Sequence, residues 1–318
     1  MNKPYVVGID IGGTNTVFGL VDARGTVVAS SSIKTGMYPV FDDYINALYE
    51  AITALIKAQG AEDQVHGIGV GAPNANYYTG KIEYAPNLVW KGELPLAEAL
   101  SSKFGIPVTI TNDANAAAIG EMTYGAARGL KDFLMITLGT GVGGGVVCNG
   151  QMVYGFDGMA GELGHVIARR NGRLCGCGRH GCLETYCSAT GVVRTAYEFL
   201  DARPDEKTLL RDRHDLTSKD IYDAAIAGDK LAQDVFTFTG RVLGEMLADY
   251  VAFTSPQAIV IFGGLAKSGE LLMKPLREAF EANNMPIHRG KVKILLSELK
   301  EADAAVLGAS ALGWEGKA

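Results

Sequence analysis

Residues Gly8–Val21 read GIDIGGTNTVFGLV, and residues Thr137–Val147 read TLGTGVGGGVV. Each runs from an apolar, β-prone stretch through a turn of Gly and Thr into a second apolar stretch, the pattern of a hairpin. The first extends into a meander, with Tyr5–Ile9, Thr16–Val21 and Val27–Ser32 separated by GGTN and DARG. The second takes in Phe133–Leu138 and Gly144–Cys148, with Gln151–Tyr154 a candidate third strand. One supersecondary unit used twice predicts two similar lobes with a ligand between them.

Around the hairpins the period turns helical. Ile45, Leu48, Tyr49, Ile52, Leu55 and Ile56 predict a helix over 42–58 with an Asp as cap candidate. His66–Val70 reads as a buried strand, Pro95 opens a helix carrying Leu96, Leu100 and Phe104, and Val108–Thr111 is a strand closed by Asn112-Asp113. An Ala-rich buried helix, Ala114–Tyr124, follows. Helices are further expected over Ser188–Leu200, Ser218–Ile226, Lys230–Thr254, Leu271–Ala282 and Asp303–Leu312, and strands over Ala258–Phe262 and Val292–Ser297. Asn74–Glu93 lacks a period and reads as an irregular loop of the length that often carries function. Arg203–Asp215 reads as a charged, solvated connection. The class is α/β.

At 318 residues, with 47% hydrophobic and 20% charged residues, the chain has the composition of a soluble globular protein large enough for two domains. A net charge of −6 argues against a nucleic-acid surface, which needs a basic field. The opening MNKPYVVGID lacks a signal-peptide core and no run reaches the length of a membrane span, so no membrane partner is expected. Five cysteines, four of them within Cys175–Cys187, do not form a secreted disulfide framework, and the expected compartment is the cytoplasm.

Three Gly turns point to a nucleotide. Asp10-Ile11-Gly12-Gly13-Thr14-Asn15 can wrap backbone N–H groups around phosphate or be a plain hairpin turn. Gly139-Thr140-Gly141-Val142-Gly143-Gly144-Gly145 has more glycine than a hairpin needs, an excess that close approach to a ligand would explain. Gly263-Gly264 follows a strand in the same way. Asp113 either caps the next helix or holds a substrate hydroxyl; with an unperturbed pKa of about 3.9 it is a weak base, kept ionised by the helix N-terminus.

Gly161–Glu184, GELGHVIARRNGRLCGCGRHGCLE, brings His165, Cys175, Cys177 and Cys182 together at a spacing suited to a four-coordinate structural zinc site with no open position. Glu162 and Glu184 flank that set and need another role. Cys148 and Cys187 read as buried small residues. Trp90 reads as core or, from its place near Asn87, as a platform for a sugar.

DIGGTN at Asp10–Asn15, TNDANAAA at Thr111–Ala118, LGTGVGGG at Leu138–Gly145, GELGH at Gly161–His165 and CGCGRHGCLE at Cys175–Glu184 stand in this order along essentially the whole chain. The set resembles the ROK family of sugar kinases and repressors, its zinc-containing bacterial glucokinases most of all. The resemblance implies an actin-like ATPase (ribonuclease H-like) fold of two α/β lobes with a cleft between them, a smaller lobe of 1–115 plus 303–318 and a larger lobe of 116–302 carrying the zinc loop. It implies that Asp113 takes the proton from a sugar C6 hydroxyl, and that Asn87, Asn112, Glu162, His165 and Glu184 contact the sugar alongside it. Asp10, Gly12, Gly13, Thr14, Asn15, Gly139, Thr140, Gly141, Gly263 and Gly264 match the turns that hold ATP, with Asp10 near the phosphates and Mg2+. His165, Cys175, Cys177 and Cys182 match the Zn2+ ligands, and His165 is then expected to give one ring nitrogen to zinc and the other to the sugar.

The implied activity is ATP-dependent phosphorylation of a hexose, glucose to glucose 6-phosphate first, with allose, fructose, mannose and N-acetylmannosamine as alternatives. A homodimer is implied. A sugar-responsive repressor is the rival from another class, but a phosphate turn beginning at Asp10 leaves no room before it for a helix-turn-helix. Many relatives carry Gly where this chain has Asn74, which either alters hexose preference or is a tolerated turn residue.

Overall fold

The meander comes first in the chain, and its plan recurs in the second half. In the computed structural model, which describes residues 3–211, 213–299 and 301–315, the chain runs β1 (Tyr5–Ile11), β2 (Thr16–Asp22), β3 (Val27–Ile33), α1 (Phe41–Ala58), β4 (Val65–Gly71), β5 (Ile82–Glu83), β6 (Glu93–Leu94), α2 (Leu96–Phe104), β7 (Val108–Thr111) and α3 (Asp113–Tyr124). β1, β2 and β3 pair antiparallel, while β4 and β7 add in parallel beyond β1, giving the order β3-β2-β1-β4-β7.

The second half repeats the plan. It runs β8 (Phe133–Leu138), β9 (Val142–Cys148), β10 (Gln151–Met152), α4 (Glu184–Cys187), α5 (Ala189–Ala202), α6 (Ser218–Ile226), α7 (Lys230–Thr254), β11 (Ala258–Phe262), α8 (Glu270–Asn283), β12 (Lys293–Leu296) and α9 (Glu301–Leu312). The sheet order is β10-β9-β8-β11-β12, again an antiparallel hairpin followed by two parallel strands. The duplication visible in the two Gly-turn motifs is therefore a duplication of topology.

Each sheet buries its own core. Phe18, Tyr44, Leu48, Ile52 and Trp90 lie in the first; Val235, Phe236, Leu247 and Phe280, from α7 and α8, lie in the second. Helices α3 and α9 pack on each other, α9 also lying on β1 and β4 and α3 on β8 and β9. Close approach of α9 explains glycines inside strands: a Cβ at Gly8 would strike the Val306 carbonyl, and one at Gly69 the Ala309 carbonyl. The last residues of the expected smaller lobe, 316–318, lie outside the described residues.

Four local expectations are corrected. Cys148, expected to be buried like Cys187, is exposed at the end of β9. α1 has Val40 at its N-cap and no side-chain cap; Asp42 and Asp43 sit in its first turn, where they meet the helix dipole instead. Asn74–Glu93 is not wholly irregular, because β5 and β6 pair within it. The 203–215 connection is tied down rather than merely solvated: Arg203 pairs with Asp234 at 2.8 Å, Arg211 donates to the carbonyls of Arg203 and Glu206, and Leu210 is fully buried. Among the described residues no helix is long and apolar enough to cross a membrane.

Candidate active site

The end of β7 decides what Asp113 is free to do. Asn112 is the N-cap of α3: its backbone is extended and its Oδ1 accepts from the Asn115 amide at 2.7 Å. Asp113 is thus the first helical residue, and its Oδ1 accepts from the Ala114 amide at 2.8 Å. Its carboxylate opens to the cleft but lies deep in it. Burial pushes its pKa above the ordinary carboxylate value, while hydrogen bonds from the backbone pull the other way. The weak base expected from an unperturbed Asp is corrected: desolvation outweighs the helix N-terminus and makes Asp113 a stronger base.

Asp10, near the end of β1, faces the same space. Burial first, and the charge of Asp113 second, raise its pKa to about 6. Its turn is closed by the Gly12 amide on the Asn15 carbonyl at 2.9 Å. Beneath it Thr16, Thr35 and Tyr44 share a buried hydroxyl network at 2.8 and 2.9 Å, and Lys34 Nζ donates to Asn15 Oδ1 at 2.8 Å. A side chain on Gly13 would strike the Asn87 carbonyl, so this turn abuts the loop that carries Asn87.

The second turn is built differently. Gly139 donates to the Gly141 carbonyl, and Glu184 Oε2 accepts from the Val142 amide at 3.0 Å. Packing also demands glycine here, although Gly139, Gly141, Gly143 and Gly144 line the cavity as well. Gly143 and Gly145 press on α3 and Gly144 on Leu163 and the Gly161 carbonyl, and a Cβ on Gly141 would strike Glu184. Only Gly139 is open. Gly263, at φ 107°, is pressed on the Leu138 backbone, a conformation and a clearance that only glycine meets.

The loop Gly161–Glu184 joins this turn to a cluster of soft donors. The ligand atoms of His165, Cys175, Cys177 and Cys182 all lie within 4.8 Å of one another. His165 Nδ1 is 3.6 Å from Cys175 Sγ, and its Nε2 is 3.9 Å from Glu162 Oε2. The ring therefore presents one nitrogen to the cluster and the other toward Glu162. Three thiols and one imidazole converging this closely fit zinc. Glu184 Oε1 is 3.7 Å from Cys175 Sγ, so this residue links the cluster to the second turn.

Asn87, Asn112, Asp113, Glu162 and Glu184 line one cavity of about 430 Å³ with Gly139, Thr140, Gly141 and Gly263, a size within the small-molecule range of about 300–1,000 Å³. His165 stands behind Glu162 rather than on the wall. Asp10 lines an adjoining cavity that shares Asp113. Gly12, Gly13, Thr14, Asn15 and Gly264 line neither. Pro73, Thr137, Met159 and Phe262 also line the main cavity, and no pattern in the sequence marked them, since each reads as a loop or strand residue.

Trp90 is buried, with its Nε1 donating to the Tyr38 carbonyl at 2.9 Å and its ring against Phe41 and Tyr44. Asn74 reaches the cavity wall at φ 52°, and its amide donates to the Glu83 carbonyl at 3.0 Å. Its side chain is thereby occupied in holding the turn.

The chain is similar to the glucokinase of Halalkalibacterium halodurans, 38% identical over 99% of this chain and 95% of that one. It is 34% identical to the glucokinase of Thermotoga maritima over 98% of each. A crystal structure of a ROK family glucokinase from Streptomyces griseus, in complex with glucose and AMPPNP, superposes with a TM-score of 0.79 at 34% identity, covering 98% of this chain and 100% of that one. The shared fold is the actin-like ATPase fold. With the ROK family model matching residues 6–315 in addition, this chain belongs to the ROK family.

Proposed function

We propose that the protein is an ATP-dependent hexose kinase that phosphorylates the C6 hydroxyl of glucose. The observation that carries this is Asp113: relieved of capping by Asn112, it is a carboxylate open to the cleft, with a pKa raised by its crowded surroundings, on the wall of a polar cavity between two Gly turns. Asp113 takes the proton as the sugar hydroxyl attacks the γ-phosphorus of ATP. Phosphoryl transfer asks mainly for positioning and charge stabilisation, since its transition state is loose. Glu162, Glu184, Asn87 and the Asn112 amide hold the sugar hydroxyls so that one oxygen faces Asp113, converting an encounter into a near-unimolecular attack. His165 Nε2 adds a donor beside Glu162.

The turns at Asp10–Asn15, Gly139–Gly141 and Gly263-Gly264 hold ATP. Asp10 would hold Mg2+, which supplies the positive charge that the phosphates need. His165, Cys175, Cys177 and Cys182 would hold a structural Zn2+, which fixes the loop and the tautomer of His165. The same reading takes residues 1–115 plus 303–318 as one lobe and 116–302 as the other, and places the protein in the cytoplasm as a homodimer serving glycolysis. Light scattering of the purified protein tests the dimer.

An ADP-coupled assay with ATP and Mg2+ across glucose, allose, fructose, mannose and N-acetylmannosamine tests the activity. Glucose is expected to give the highest kcat/KM. Another hexose in first place would reassign the substrate, and no turnover on any of them would remove the kinase reading.

A further inference from the structure

Two segments that supply opposite walls of the cavity meet outside it. Pro73 and Asn74 come from the connection after β4; Met159 and Glu162 come from the connection after β10. Between them stands Asn76, 2% exposed. Its Oδ1 accepts from the amides of Tyr78 at 2.9 Å and Thr79 at 3.3 Å. Both donors belong to its own loop, so the carboxamide orientation is settled and Nδ2 faces outward. That nitrogen donates to the Asp157 carbonyl at 2.7 Å and to Glu83 Oε2 at 3.3 Å.

The contact is close as well as polar. A Cβ on Gly158 would strike the Asn76 carboxamide, so only glycine lets the second segment pass over it. Beside it the Tyr77 ring stacks on Tyr154 with centroids 3.9 Å apart and planes 8° from parallel, while Tyr78 meets Tyr154 edge-on at 6.0 Å. Tyr77 Oη donates to Glu315 Oε2 at 3.0 Å, just past α9. The second segment is itself tightly folded: the Ala160 amide bonds the Tyr154 carbonyl at 3.0 Å and the Met159 amide bonds Asp157 Oδ1 at 3.1 Å. Three residues separate Gly158 from Glu162, so whatever fixes Asp157 and Gly158 fixes the approach of Glu162.

We propose that Asn76 is a positioning residue for the sugar site: its bond to the Asp157 carbonyl, backed by the Tyr77–Tyr154 stack, clasps the segment 154–162 to the β4 side of the cleft and sets where Glu162 meets the sugar. Asn76 itself does not line the cavity. The inference rests on the kinase reading for its consequence, but the clasp itself is a property of the free protein.

The test compares Asn76→Asp in a Glu83→Gln background with Glu83→Gln alone. Aspartate keeps the acceptor for Tyr78 and Thr79 and glutamine can still donate to it, while the donor to Asp157 is replaced by a carboxylate oxygen that repels the Asp157 carbonyl. Hydrogen–deuterium exchange in the ligand-free protein is expected to rise at amides 154–162, with thermal melting showing that the variant remains folded. The glucose KM is expected to rise about 10- to 100-fold, with the ATP KM near that of the background. Tyr77→Leu should give a weaker change of the same kind. Unchanged exchange at 154–162 in the folded double variant overturns the clasp. Raised exchange with an unchanged sugar KM overturns the positioning role. If the parent protein turns over no hexose, the kinase reading fails, and the exchange data still decide the clasp.

Discussion

The two Gly-turn hairpins share topology but not chemistry. The β1–β2 turn is backed by hydroxyls: Thr16, Thr35 and Tyr44 bond one another beneath it, and Asp10 stands at its edge with a pKa raised to about 6. The β8–β9 turn is backed by a carboxylate from elsewhere, Glu184, which grips the Val142 amide while its other oxygen lies 3.7 Å from Cys175. The first turn thus stores an uncomfortable charge that a cation would relieve. The second is tied to a loop that metal ligands can lock. The two frames are alike in topology, and the Gly161–Glu184 loop, with its cluster of soft donors, is tied to only the second of them.

The largest effect that can break this contrast lies where both halves converge. Asp113→Asn is expected to lower kcat by about 10³-fold while glucose still binds by calorimetry; a rate within tenfold of the parent would take the proton transfer away from Asp113. Asp10→Asn should come next, with kcat down by about 100-fold. This variant also separates charge from stability. A carboxylate whose folded pKa is raised to about 6 destabilises the fold progressively as pH rises past the unfolded value of 3.8, fully above the folded pKa, and not at all below 3.8. The Asn variant is therefore expected to melt higher than the parent at pH 8, by roughly 1–2 kcal/mol, and equally near pH 4. In the parent, kcat/KM should fall on the acid side near pH 6, where Asp10 takes up its proton, and not near pH 4.

On the other hairpin, chelation or Cys177→Ser should raise the glucose KM by about 10- to 100-fold with less change in kcat, because Glu184 and Glu162 lose their support. An unchanged KM in a folded, metal-free protein would uncouple the loop from the sugar. Gly141→Ala pushes on Glu184 directly and is expected to mimic metal loss in part, by about tenfold in KM. Gly139→Ala should do least: nothing lies within 4 Å of the added methyl, so stability should change by no more than about 0.5 kcal/mol and any kinetic effect should fall on ATP.

Much of the fold was legible because its signals are local. The ranges Ser218–Ile226, Lys230–Thr254 and Ala258–Phe262 follow from periodicity and from Pro256, and the structure has them at the same residues. The ligand-type residues of the metal loop stood out by spacing, and the turn motifs by composition. What the sequence did not reveal is what each glycine touches. Gly143, Gly144 and Gly145 read as room for a ligand, and the structure adds that they also make way for α3, Leu163 and the Gly161 carbonyl, while Gly143 and Gly144 line the cavity. Thr137 and Met159 gave no signal, since a cavity wall is made of residues that are ordinary in their own segments.

By itself the sequence determined the hairpins, the helices, the donor set of His165, Cys175, Cys177 and Cys182, and the order of motifs that marks the family. These depend on side-chain period, turn chemistry and covalent spacing, which a linear chain carries. Only the tertiary structure decided that Asn112 caps α3 and leaves Asp113 to the cleft, that burial makes Asp113 a stronger base, and that Asn76 reaches 81 residues along the chain to Asp157. Desolvation and long-range hydrogen bonds exist only once distant segments are packed together, and no local pattern encodes them.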